Sequence, residues 1–146
     1  MAASADPEKL VLTLVYISTA RTLITDAMCQ DILASSRINN PVNGVTGLLV
    51  AGKKRFLQAL EGPADEVRAT YARIGADPRH FACVVLAERT ADTRQFGNWA
   101  MGYNAGHDAD DHADLEAIVT ALVAPLDDPD LRAQFIGFAQ LNARAA

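Results

Sequence analysis

The hydrophobic pattern of the chain opens with LVLTLVYIS at residues 10–18, an almost unbroken apolar and β-branched run that predicts a well-buried strand. Side chains alternate along a strand, so Leu12, Leu14, Tyr16 and Ser18 share one face and Val11, Thr13, Val15 and Ile17 the other. Thr25 and Asp26 are N-cap residues for a helix ending at Ser36 or Asn39. The stretch Asn39-Asn40-Pro41-Val42-Asn43-Gly44 is dense in turn formers and predicts a loop. Val45 to Val50 is a second strand, Ala51-Gly52-Lys53-Lys54 a hairpin turn, and Phe56 to Leu60 the returning strand. Gly62-Pro63 opens a second helix with Pro63 at its first position. Asp65 and Glu66 sit at the positive end of its dipole, Val67, Tyr71 and Ile74 form its apolar stripe, and Asp77-Pro78 ends it. Ala82 to Ala87 predicts a fourth strand and Phe96 to Tyr103 a fifth.

The order β-α-β-β-α-β with one added strand predicts an α+β, ferredoxin-like sandwich: an antiparallel sheet with two helices side by side on one face. After Gly106 the acidic stretch HDADDHAD reads as a solvated linker. Leu115, Ile118, Val119, Leu122 and Val123 then recur with helical spacing, and Asp128-Pro129 starts a last helix striped by Leu131, Phe135 and Phe138. These two C-terminal helices are too short for a second domain. Their stripes must pack on the other face of the sheet or on another chain. The expected division is residues 10–105 as one domain and 106–146 as a helical extension.

Composition narrows the function classes. The 146 residues are half apolar, enough for a core without disulfides or a structural metal, and the formal net charge of −5 argues against a nucleic-acid surface. No apolar run approaches the roughly 18 residues of a membrane span, and the N-terminus lacks the apolar stretch of a signal peptide. Cys29 and Cys83 lie far apart among apolar neighbours and read as reduced core residues of a cytoplasmic protein. His107 and His112 in the acidic linker are given no role.

One strand carries an unexpected letter. In FLQALEG (56–62), Phe56, Gln58 and Leu60 point the same way, towards the helices. The first and third strands are central neighbours in this fold, so Gln58 and Tyr16 lie close together under the helices. An unpaired amide there would cost about 1–3 kcal/mol. Either the two groups satisfy each other, or a polar ligand between the helices receives them. The helix faces favour the ligand. Ile32, Ser36, Asn39 and Asn40 share one face if the helix persists that far, and on the second helix Arg73 and Ile74 precede Asp77 by four and three residues. Arg73 and Asp77 could equally form a surface pair. Together the groups describe a slot with apolar walls and hydrogen-bonding ends, suited to a flat heteroaromatic ring.

Six motifs in order, Tyr16-x-Ser18, Ser36-Arg37-x-x-Asn40, Gly44-Val45-Thr46-Gly47-Leu48-Leu49, Phe56-x-Gln58-x-Leu60-Glu61-Gly62, Asp77-Pro78-Arg79-His80 and Arg94-x-Phe96-x-x-Trp99-x-Met101-Gly102, resemble the BLUF domain, a flavin-binding blue-light sensor, from about Leu10 to Tyr103. The resemblance implies a cofactor, FAD with FMN as the alternative, held edge-on between the two helices. It assigns contacts to Tyr16, Ser36, Asn39, Asn40, Gln58, Arg73, Asp77, Arg79 and His80, with Ile32 and Ile74 as apolar walls. It further implies that Tyr16 gives an electron and a proton after blue excitation, that Gln58 is left rotated or tautomerised, and that the absorption band moves reversibly to the red. Trp99 and Met101, on one strand face, would relay the signal, or are plain core residues. The implied output is a downstream signalling protein or a homo-oligomer, with no nucleic acid, membrane or enzymatic reaction involved.

Two other classes compete. An acylphosphatase-like hydrolase would need a phosphate-cradling loop beside Arg21, but STARTLIT contains no glycine and no crowd of free backbone N–H groups. A flavin redox enzyme would need an open substrate face and a catalytic base, for which the chain offers no candidate.

Overall fold

The computed structural model describes residues 10–52, 54–96, 102–105 and 115–144. In chain order the elements are β1 (Val11–Ala20), α1 (Asp26–Asn43), β2 (Thr46–Ala51), β3 (Arg55–Gly62), α2 (Ala64–Gly75), β4 (His80–Ala91), β5 (Gly102–Ala105), α3 (Leu115–Val123) and α4 (Pro129–Arg144). The sheet order is β4-β1-β3-β2-β5, antiparallel except for β5, which runs parallel to β2 from Leu48↔Gly102 to Ala51↔Ala105. The first six elements have the ferredoxin-like arrangement. Phe96, expected at the start of the added strand, is instead buried in a bend. Residues 97–101, including Trp99 and Met101, lie outside the described residues.

Both faces of the sheet are covered, and this explains the nearly continuous apolar run in β1. Leu12, Leu14, Tyr16, Phe56 and Leu60 meet Cys29 and Leu33 of α1 and Val67 of α2 on one face. Val15, Leu48, Val50 and Leu57 meet Val119 and Val123 of α3 and Leu131, Phe135 and Phe138 of α4 on the other. Each of these apolar side chains contributes roughly 1.5–3 kcal/mol when fully buried, which explains why the two short helices hold to the sheet. Cys29 is buried, and neither it nor Cys83 is in a disulfide.

Three boundaries differ from the sequence expectation. The first helix does not stop at Asn39. It starts at Thr25, whose hydroxyl accepts from the Met28 N–H at 3.1 Å, and runs through Pro41 to Asn43. Pro41 forfeits one backbone donor but its φ is helical, and the stop signal is Gly44, whose left-handed φ of 71° caps the last carbonyls. Pro63 sits at the N-cap of α2, one place before the first helical residue. The fourth strand continues well past Ala87, because an edge strand pairs through its backbone whatever its side chains. It carries two extra residues against β1, one near Ala82 (φ 55°) and one at Leu86.

Glu61, fully buried at the end of β3, ties the far face together. Its carboxylate accepts from the Thr13 hydroxyl at 3.0 Å and from the backbone N–H groups of Gln95 and Phe96 at 2.8 and 3.0 Å. The Gln95 side-chain oxygen in turn accepts from the Asp127 N–H at 2.8 Å, and Asp128 Oδ1 caps α4 through Asp130 and Leu131. A strand residue three positions beyond Gln58 thus anchors both the 94–96 segment and the start of α4.

Candidate functional site

The strand pairing sets Tyr16 directly opposite Gln58, and Gln58 directly opposite Leu49. These three, with Phe56, floor a cavity of about 250 Å³ between α1 and α2. Ile32, Ser35, Ser36, Asn39 and Asn40 line it from α1, and Thr70, Arg73 and Ile74 from α2. Asp77, Arg79 and His80 close it where α2 turns into β4. All eleven residues expected at the site, Tyr16, Ile32, Ser36, Asn39, Asn40, Gln58, Arg73, Ile74, Asp77, Arg79 and His80, therefore line one space. The extension of α1 through Pro41 makes this possible, since it carries Asn39 and Asn40 on the same helix face as Ile32 and Ser36.

The polar groups of the floor are paired. The Tyr16 hydroxyl donates to Gln58 Oε1, and both residues are 2% exposed. So the two odd letters do satisfy each other, as one of the two sequence readings held, while facing the cavity as the other required. Burial holds the Tyr16 phenol well above its ordinary range, with Cys83, Tyr71 and Asp77 adding to the shift. The phenol is thus a neutral O–H donor throughout the physiological range. Tyr71 meets it edge-on, with ring centroids 5.0 Å apart.

His80 is buried and fully oriented. Its Nε2 lies 2.5 Å from the Ile74 carbonyl oxygen, which can only accept, so Nε2 carries the proton. Nδ1 lies 2.9 Å from the Ser18 hydroxyl, so both ring nitrogens have a partner. At the mouth, Arg79 Nε donates to both Asp77 oxygens at 2.9–3.0 Å. Hydrogen bonds from Arg79 hold the Asp77 carboxyl below its ordinary range despite partial burial. Asp77 therefore pairs with Arg79. Arg73 does not pair with Asp77 among the described contacts; its Nη2 donates to Thr70 Oγ1 at 3.3 Å.

Four lining residues were not among the expected eleven: Ser35, Leu49, Phe56 and Thr70. Three had a legible signal, because Phe56 shares the Gln58 face of its strand, Leu49 faces Gln58 across the hairpin and Thr70 precedes Ile74 by one helical turn. Arg21, the candidate phosphate ligand of the competing hydrolase reading, lies elsewhere. Its Nε donates to the Pro78 carbonyl at 3.0 Å and its guanidinium stacks 5.1 Å from the Phe81 ring centre. Among the described residues no cluster of His, Cys, Asp or Glu could hold a metal ion, and no helix is long and apolar enough to cross a membrane.

The geometry suits a planar ring with polar edges. Ile32 and Ile74 supply apolar walls from the two helices, Asn40 and Gln58 supply amides that both donate and accept, and Arg73 supplies a cation near the mouth.

Comparison with known proteins agrees with that geometry. The photoactivated adenylate cyclase subunit beta of Euglena gracilis is 39% identical over 64 residues, covering 44% of this chain but 8% of that protein. The blue light- and temperature-regulated antirepressor BluF of Escherichia coli strain K12 is 33% identical over 92 residues, covering 63% of this chain and 23% of that protein. The chain thus matches less than a quarter of either relative's length. A bacterial light-regulated adenylyl cyclase superposes with TM-score 0.63 at 32% identity over 65% of this chain and 28% of that one. BlrB, a BLUF protein in its dark state, superposes with TM-score 0.68 over 93% of this chain and 97% of that one; its 24% identity supports the fold alone. The model of the BLUF family, sensors of blue light using FAD, matches residues 11–102, and the chain belongs to that family.

Proposed function

We propose that this chain is a blue-light photoreceptor in which Tyr16 and Gln58 form the switch and the C-terminal helices carry its output. The observation that carries the reading is the Tyr16–Gln58 hydrogen bond at the floor of a cavity with apolar walls and amide-bearing edges. A flavin bound there, FAD by the family's description, supplies a blue-absorbing ring that accepts an electron when excited. Asn39, Asn40 and Gln58 would bind its polar edge, Ile32 and Ile74 its faces, and Ser36, Arg73, Asp77, Arg79 and His80 the remaining contacts.

Tyr16 gives up an electron, and the proton at its hydroxyl moves to Gln58 Oε1, the atom it already contacts. When both return, Gln58 is left rotated or tautomerised. Its side chain then presents a different donor and acceptor pattern to the cavity. Glutamine suits this role because an amide can donate and accept at once, which a carboxylate or an alkyl group cannot do.

Residues 10–105 act as the sensing unit in this reading, with residues 106–146 as an extension of it rather than a second domain. Trp99 and Met101 relay the change towards the far face. Output passes to a partner protein or through self-association in the cytoplasm, without an enzymatic reaction of this chain. The test is colour. Purified protein is expected to be yellow, and a few seconds of blue light should move its visible band reversibly to longer wavelength. A protein that stays colourless after incubation with FAD and with FMN sinks the reading.

A further inference from the structure

A trough of about 750 Å³ lies on the far face of the sheet, between α4 and the strands β1, β3 and β4. Ile17 and Leu57, directly opposed on the two central strands, make its apolar floor with Phe138 of α4. Leu23, Leu86 and Leu141 also line it and are 61%, 46% and 71% exposed. Leu86 is the extra residue where β4 bulges against β1. Leucines clustered in the open around an apolar floor mark a binding surface. The volume lies within the range of small-molecule sites.

One end of the trough is cationic. Arg55 is opposite Thr19, next to the Ile17–Leu57 pair on the same sheet face, because strand side chains alternate. Lys54 lines the same space; both cations are exposed, and neither forms an ion pair among the described residues. No carboxylate lines the trough among the described residues, although the chain carries a net charge of −5. Asp128 and Asp130 line a separate cavity beyond Ala133 and Gln134, beside Thr13 and Val15. Along β1, from Thr13 through Ile17 to Thr19, the surroundings therefore pass from acidic to apolar to cationic. The α4 side of the trough runs from Ala133 to Leu141, about 12 Å of helix. Midway along it is Gly137, where an added Cβ would meet nothing within 4 Å.

We infer that the trough binds a free fatty-acid anion, its carboxylate on Arg55 and Lys54 and its alkyl chain over Leu57, Ile17 and Phe138. The guanidinium fork of Arg55 matches a carboxylate through two parallel N–H···O bonds, and Lys54 adds a point charge. The exposed leucines then lie against the alkyl chain instead of water. A neutral or cationic amphiphile leaves both cations without a partner, and a wholly polar anion leaves the leucines uncovered. The acids beyond Ala133 fix the direction, because a carboxylate turned the other way would face Asp130. The inference goes beyond the light-sensing reading and does not depend on it.

Calorimetric titration of dodecanoate, kept below its micelle concentration, into the full chain after incubation with FAD tests it. One dodecanoate per chain is expected, with binding weakened roughly two- to fourfold for each methylene removed in decanoate and octanoate. Arg55→Glu should weaken it by roughly tenfold or more, since a carboxylate then meets the carboxylate. Gly137→Leu should abolish it by filling the open middle of the trough. That variant should fold, because leucine favours a helix over glycine. Dodecyltrimethylammonium, with the same tail and the opposite charge, should not bind. The inference is overturned if dodecanoate does not bind or if the cation binds equally well. Binding that survives Gly137→Leu also overturns it, because the anion then sits elsewhere, as between α1 and α2. Attachment to phosphatidylglycerol vesicles without uptake of monomeric dodecanoate overturns it in favour of a membrane surface. The visible band shift, recorded on the same samples, reports separately on the light-sensing reading.

Discussion

Tyr16 and Gln58 occupy directly opposed positions on the two central strands, and the tyrosine hydroxyl donates to the glutamine carbonyl oxygen. Backbone pairing sets this contact, because opposed residues on one face of an antiparallel pair are held within reach of each other. With Oε1 committed to Tyr16, the amide nitrogen is the end of Gln58 that must turn for the cavity to meet a different group. Tyr16→Phe removes the donor and Gln58→Leu removes both functions, while each keeps the shape. Both variants should still bind flavin and stay yellow, and both should lose the light-induced red shift. Visible spectra before and after illumination decide this, and a normal photocycle in either variant would show that the pair is not the switch.

The burial of Tyr16 has a consequence for alkaline stability. Its folded pKa is raised above the unfolded value of 10.0, so the contribution is fully present below pH 10 and is lost as pH rises towards the folded value. Tyr71 and Cys83 are shifted the same way, also chiefly by burial, so the decline begins with Cys83 above its ordinary value of 9.0. Urea unfolding at a series of pH values should show stability starting to fall above about pH 9 and falling more steeply above about pH 10. The fall should be shallower in Tyr16→Phe. Equal slopes for the two proteins would mean that the phenol ionises in place without unfolding.

The core was legible in the sequence because its signal is short-range. LVLTLVYIS in β1 and the stripe of Val67, Tyr71 and Ile74 in α2 each follow the period of one element, and the two covered faces follow from them. The end of α1 was not legible in the same way. Asn39-Asn40-Pro41 has the composition of a turn, and only the left-handed Gly44 three residues later shows that the helix continues. That misreading mattered for the site, since Asn40 joins the cavity face only if the helix persists. The full length of β4 was also hidden. Its polar end, Glu88 to Thr90, is held by backbone pairing with β1, which leaves no mark in side-chain pattern. The Arg79–Asp77 pair and the Glu61 network depend on packing between distant segments, which periodicity does not encode.

At the cavity mouth, the hydrogen bonds from Arg79 depress the folded pKa of Asp77 below 3.8. The stability it contributes is therefore present above pH 3.8 and lost as pH falls through the lower folded value. Both side chains are about a quarter to a third exposed, at 25% and 36%, so the effect is modest. Asp77→Asn should lower stability at pH 7 by roughly 0.5–1 kcal/mol. The deficit should be smaller at an acid pH well below 3.8, as the wild-type carboxyl also takes up its proton. Urea midpoints of the two proteins at both pH values test this, and a deficit independent of pH would place the role of Asp77 in shape rather than charge.

Glu61 is the most demanding residue of the far face. Its carboxylate is fully buried with no cation against it among the described residues, and it is held by a hydroxyl and two backbone N–H groups. Glu61→Ala leaves those two N–H groups without their acceptor, at about 1–3 kcal/mol for each that stays dry. Phe96 is buried and Gln95 is partly accessible, so water can reach one of the two. The expected loss is about 2–4 kcal/mol in urea unfolding. Glu61→Gln keeps one acceptor oxygen but points an amide N–H₂ at another donor, and should lose about half as much. The same carboxylate positions Gln95, whose side chain receives the Asp127 N–H. Hydrogen exchange at Asp127 to Leu131 should therefore speed up in both variants even where the protein remains folded. Unchanged exchange there, together with a loss below about 1 kcal/mol, would mean that α4 is anchored by its apolar stripe alone and that Glu61 merely fills space.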